Sequence, residues 1–205
     1  MIIGEKNLIE QLNCPEELLP VIRKLKSPRL IQNYIGENFT YNHSDTTYRS
    51  FIEVMKTYNA DCFEGGIGFA YPLLYLWGYH PQIVLIHADH EKDVDHNLVT
   101  YRYKNRLGAI AMSSYKELLD RLPLFDNMQE LIMSYYHHYT CPDPRWFNEY
   151  TVIGYSDPVD LVKKFGTGWF FLPGETALKY LYDHYMDGVM CTPVFTGERY
   201  PYPGE

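Results

Sequence analysis

The hydrophobic and polar positions of this chain change period along its length, and the changes lay out its elements. The first third reads as helices. "CPEELLPVIRKLKS" has Pro15 in a first turn and acids early, and "SPRLIQNYIGE" repeats that opening with Ser27 and Pro28. "TTYRSFIEVMKTY" has helical apolar spacing, and "CFEGGIGFAYPLLYLWG" is a longer, apolar helix from Cys62 to Gly78. Pro72 is expected to bend that helix and Gly78 to cap it. Glycines at 65, 66 and 68 are expected to let another backbone approach. The period then shifts. "QIVLIHA" is a β-branched run that reads as a buried strand, and "HNLVTYRYK" alternates like a second. A tight turn at Asn105-Arg106 leads into "LGAIAMS" as the returning strand. "NMQELIMSYYHHY", "DPVDLVKKF" and "GETALKYLYDHYMDG" return to helix, and "TPVFTGERYPYPGE" is expected to lie extended on the surface. The fold class that follows is α+β, helices packed on a small antiparallel sheet.

Composition narrows the class. A chain of 205 residues supports one domain, here 1–205, with a core over about 28–140 and a C-terminal extension over 141–205. The hydrophobic content of 46% excludes a disordered chain, and a net charge of −8 disfavours nucleic acid as a partner. No apolar run reaches the length of a membrane span, and the N-terminus lacks the pattern of a signal peptide. Four cysteines without a CxxC pair read as reduced thiols, and a cytoplasmic location is the expectation.

The candidate chemistry sits in two stretches. Cys62 opens a predicted helix, where the helix dipole and free N–H groups favour thiolate. His96 opens a predicted strand, and a helix start laid against a strand start brings thiol and imidazole within reach. Tyr58 and Asn59 are candidates for an oxyanion hole with the Cys62 N–H, and Asp61 or Asn59 for capping the helix. Asp93 or Asp95 beside His96 would raise its pKa and support a thiolate–imidazolium pair.

These residues carry a resemblance. "ADCFEGGIGFAYPLLYLWGYHPQIVLI", "DVDHN" opening the next strand, "GAIAMS" in the third and "ELIMSYYHHY" together resemble a bacterial transglutaminase-like family of the papain-type superfamily, over roughly residues 28 to 140. The resemblance implies a transglutaminase-like fold in which Cys62 is the nucleophile and His96 the general base. The third triad position falls on Ser113 or Ser114, where such enzymes carry an acid. It implies acyl transfer from an amide or peptide bond, with water as the expected acceptor, a peptide or protein as the partner and no cofactor.

Two alternatives stay open. A catalytically degenerate member of the same fold would bind a peptide or protein. A metal-dependent hydrolase would use the cluster from His87 to His96, in which His87, His90, His96, Asp89, Asp93 and Asp95 are possible ligands. "HADH" lies in a predicted loop and no HExxH accompanies it, so one working histidine beside an acidic loop is preferred and no metal is expected.

Overall fold

The computed structural model describes residues 14–44, 47–141, 143–146, 149–195 and 197–203. Local signals account for its first helices. A single 3₁₀ turn, Glu16–Leu18, leads into α1 (Leu19–Lys24). α2 (Pro28–Asn38) starts where the Ser27 hydroxyl accepts the Leu30 N–H at 3.3 Å, with proline in its first turn. The two-residue strands β1 (Thr40–Tyr41) and β2 (Asn59–Ala60) pair in parallel and bracket α3 (Phe51–Thr57), whose head is a Ser50–Glu53 capping box.

The next helix, α4, begins at Cys62, winds as a π-helix over Glu64–Ala70 and continues as α over Tyr71–Leu76. Its head is closed by a second reciprocal cap. Glu64 N–H donates to Asp61 Oδ1 at 2.7 Å, and Asp61 N–H donates to Glu64 Oε2 at 3.2 Å. Glu64 is fully buried, and burial raises its pKa against the bonds that hold it charged. Those bonds come from the Thr47 hydroxyl (2.6 Å) and the Arg49 N–H (2.8 Å), with the Arg49 guanidinium at 3.6 Å. Glycine is needed along this helix for close approach: a Cβ on Gly65 would lie 2.7 Å from that of Met112, and one on Gly68 would lie 2.8 Å from the Arg49 carbonyl oxygen. Pro72 stands where π winding gives way to α, and Gly78, at φ +74°, ends the segment.

A single antiparallel sheet follows: β3 (Gln82–Ala88), β4 (His96–Tyr103), β5 (Arg106–Ile110), β6 (Arg121–Phe125), β7 (Val152–Ser156), β8 (Met190–Pro193) and β9 (Tyr200–Pro201). Their order across the sheet is β6-β5-β4-β3-β7-β8-β9. The α+β class is as expected, but the sheet is larger than the three strands anticipated. The region past residue 140 is no mere extension. It supplies β7 on the far side of β3, and the tail expected on the surface supplies the end of β8 and all of β9. Edge strand β6 carries Pro123 and exposes Leu122 and Leu124. The β4–β5 turn is Lys104-Asn105, both at positive φ, one residue earlier than expected. β5 stops at Ile110 because Gln32 from α2 takes over the pairing. Its amide donates to the Ala111 carbonyl (3.1 Å) and accepts the Ala111 N–H (3.2 Å).

Helices cover both faces of β4. Val99 and Tyr101 pack with residues of α2, α3, α4 and α7 (Gly174–His184) in one apolar cluster. Leu98 packs with Val84, Ile86 and residues Leu131, Ile132 and Tyr135 of α5 (Met128–Tyr136) in the other. The short α6 (Leu161–Phe165) joins the first cluster through Leu161. Among the described residues, no helix is long and apolar enough to cross a membrane.

Candidate functional site

Cys62 lies half-buried at the first turn of α4, on the boundary of two cavities. The larger, about 990 Å³, opens between β1, the head of α4, the end of α7 and the tail at Tyr202. Four aspartates line it, Asp61, Asp95, Asp183 and Asp187, with five tyrosines, Tyr41, Tyr48, Tyr182, Tyr185 and Tyr202. Lys179 pairs with Asp183 at 3.1 Å and lies over the Tyr48 ring, but no Lys or Arg is among the described lining residues. The smaller cavity, about 310 Å³, is bounded by Asp93, Asp95, His96, Ser113, Ser114 and Leu118 among others.

One polar partner of the thiol is Asn97. Its Nδ2 donates to Cys62 Sγ at 3.8 Å, and its Oδ1 accepts the Tyr185 hydroxyl at 3.0 Å, which fixes the orientation of the amide. Burial, with the Asp61 carboxylate adding to it, pushes the Cys62 thiol up to about 11, while the Asn97 amide and the Phe63 N–H act in the opposite sense. The thiol is therefore protonated at neutral pH. Burial, with the Cys62 and Asp61 charges next, raises the neighbouring Tyr41 phenol.

Cys62 and His96 both line the smaller cavity, but strand geometry sends the His96 ring toward another partner. Successive side chains of a strand leave on opposite faces. Asn97 sits opposite Leu85 on the α4 face, whereas His96 sits opposite Ile86 on the α5 face. His96 Nε2 meets the Leu118 carbonyl at 3.1 Å, and among the described residues no hydrogen bond joins it to Cys62. Burial holds its pKa down to about 4, with the Arg121 charge contributing in the same direction. Moving a proton from a thiol near 11 to an imidazole near 4 is unfavourable by several orders of magnitude. Ser113 and Ser114 line the smaller cavity beyond the end of β5, and the Ser113 hydroxyl accepts the Tyr115 N–H at 3.1 Å. Cys62, His96, Ser113 and Ser114 thus share the lining of this cavity, but among the described residues no hydrogen bond joins either serine to His96 or His96 to the thiol.

The other candidates divide. Asp95 reaches the cleft, and Asp61 lines it while capping α4. Tyr58 and Asn59 do not line it. Tyr58 is a left-handed residue at the end of α3 packed edge-on against Phe39. Asn59 accepts Arg49 Nη1 at 2.8 Å and donates to the Thr40 carbonyl at 3.3 Å, pinning β2 to β1. The sequence pattern does not single out Asn97, Tyr185 or Tyr202. A polar residue next to the chosen histidine was the one available signal for Asn97.

The acidic loop also sorts itself. Asp89 pairs with Lys92 at 3.0 Å, and Asp93 accepts the Thr151 hydroxyl at 2.9 Å. His87, His90 and Asp95 converge instead, with one potential ligand atom from each lying within 4.8 Å of the others. All four cysteines are free thiols. No protein-family model matches the chain, and no curated protein shows significant similarity to it.

Proposed function

We propose that the chain is a binding domain for a cationic, amine-bearing peptide or small molecule, held in the cleft above Cys62. This is a degenerate form of the transglutaminase-like arrangement that the sequence resembles. The single observation that carries the reading is the makeup of the large cavity. Aspartates and tyrosine rings surround a volume into which no Lys or Arg projects among the described residues. Acidic clefts concentrate cations, and aromatic faces attract ammonium groups. The raised thiol, with no imidazole hydrogen-bonded to it among the described residues, supports binding over bond-breaking.

The test is calorimetry with spermidine and primary amines against chain-matched alcohols and carboxylates. Saturable binding of the amines, weakened by salt and several-fold weaker in an Asp183→Asn/Asp187→Asn variant, is the expected result. Equal binding of amines and carboxylates, or none of either, overturns it.

One observation favours a second reading, acyl transfer at Cys62. Its sulfur sits at a helix start on the floor of the cleft, with an amide N–H directed at it. Under that reading the thiol proton goes to a base other than His96, the sulfur takes the acyl group as the leaving group departs with a proton, and the bound amine is the acceptor. An acyl adduct on Cys62 with an activated ester, discharged by amine, selects this reading; a Cys62→Ala variant that still binds amines selects the first.

A further inference from the structure

The convergence of His87, His90 and Asp95 lies outside the thiol chemistry, and we infer that these three residues form a binding site for a divalent zinc-class metal ion. Each ligand is carried on a defined part of the fold. His87 is next to last in β3, where the pairing with β7 shifts register. His90 stands in the turn that follows. Asp95 is the residue before β4. A short loop closed by two paired strands therefore holds all three donors.

The distances suit a shared ion. His90 Nε2 and Asp95 Oδ1 are 2.9 Å apart. Zinc binds nitrogen and oxygen at about 2.0–2.2 Å, so two donors on one tetrahedral ion sit about 3–3.5 Å apart. The ligand atoms of all three residues fall within 4.8 Å of one another, and small side-chain rotations bring them to that spacing. The proton shared by His90 and Asp95 is what a metal would displace.

The surroundings supply the outer hydrogen bonds that orient such ligands. The Tyr200 hydroxyl lies 2.9 Å from His87 Nδ1, which holds the ring through one nitrogen and leaves it the other to offer. The Tyr202 hydroxyl donates to Asp95 Oδ2 at 3.1 Å, and the Ala88 N–H donates to Asp95 Oδ1 at 2.8 Å. Both tyrosines come from β9 or just past it, so the last strand of the sheet braces the loop. Two imidazoles and one carboxylate are a donor set for zinc or a neighbouring first-row ion. Three protein donors leave a position for water or a ligand group, unlike a closed structural site. Asp95 and Tyr202 also line the large cavity, which puts the ion on the wall of the cleft.

The experiment uses the full chain, free of any affinity tag, stripped with chelator and titrated with zinc alone, with cobalt as a spectroscopic substitute. The expected result is one ion per chain and a cobalt spectrum typical of low coordination number. His90→Ala is the key variant because His90 is solvent-exposed and its loss leaves folding intact. It should weaken zinc binding by at least about tenfold, as should Asp95→Asn, while a His137→Ala/His138→Ala control on the exposed end of α5 binds as before. Zinc that fails to saturate in the micromolar range, or that binds His90→Ala as tightly as the parent, overturns the site. Amine binding by His90→Ala keeps this outcome separate from that of the cleft reading.

Discussion

The two faces of the sheet at the head of β4 differ more than two adjacent residues suggest. On one face Asn97 meets Cys62, Tyr185 and an open, acidic cavity. On the other His96 is buried, with Nε2 against the Leu118 carbonyl at the wall of the smaller cavity. The open face keeps its thiol protonated through burial and a nearby aspartate, and the closed face keeps its imidazole neutral through burial. The two groups that would make thiol chemistry border one cavity, but no hydrogen bond joins them among the described residues. What remains on the open face is an acidic, tyrosine-lined cavity with a thiol in its floor.

The largest expected effect comes from removing the support of the open face. Glu64→Ala leaves the Thr47 hydroxyl and the Arg49 and Asp61 N–H groups without their buried acceptor. It should cost about 3–5 kcal/mol of stability, read by urea denaturation. A loss below about 1 kcal/mol would mean that the head of α4 is not held by this carboxylate.

The closed face is sharpened by pH. His96 titrates near 4 when folded and near 6.5 when unfolded, so the unfolded chain binds the extra proton between those values. Stability from this group is complete above about pH 6.5 and falls as pH drops toward 4, by roughly 3 kcal/mol in all. His96→Gln should flatten that part of the stability profile. An unchanged slope would place the acid sensitivity elsewhere.

Next in size is His96→Ala, which empties a buried site and should cost about 2–3 kcal/mol. The alkylation rate of Cys62 should stay within about twofold of the parent, because the imidazole is held at the Leu118 carbonyl and is not hydrogen-bonded to the thiol. A fall in that rate beyond tenfold would restore the Cys–His pair and break the comparison.

The smallest effect is a gain. Asn97→His puts an imidazole on the thiol's face and should raise Cys62 alkylation at neutral pH by about tenfold, with a rate profile shifted to lower pH. No gain would show that burial and Asp61, not the missing imidazole, keep the thiol unreactive.

Much of the backbone was legible in sequence. The helices at 28–38, 51–57, 62–76 and 174–184 announced themselves through caps and apolar spacing, and β3 and β4 through β-branched runs. The strands at 121–125, 152–156, 190–193 and 200–201 did not. They are short, and three of them contain proline. Their strand character comes from partners distant in sequence. The site was half legible. Cys62 at a helix start could be read directly. The face of His96 could not: the alternation expected of this strand fails at its head, where Leu98 and Val99 are both apolar and both buried. Where alternation is absent, a shift of one position moves a side chain through the sheet. Asp95, His90 and His87 were visible as a polar run, but only the closed β3–β4 loop brings them together.

The prolines in the outer strands bear on how this molecule behaves in crowded solution. Pro123 in β6 and Pro201 in β9 stand at opposite margins of the sheet, and neither has an N–H to offer an incoming chain. Leu122 and Leu124 flank the first of them and face solvent. A margin with that much exposed leucine would otherwise be a template for strand-to-strand growth between copies. The same residues that hid β6 from a reading of the sequence thus work as a stop against assembly into fibres.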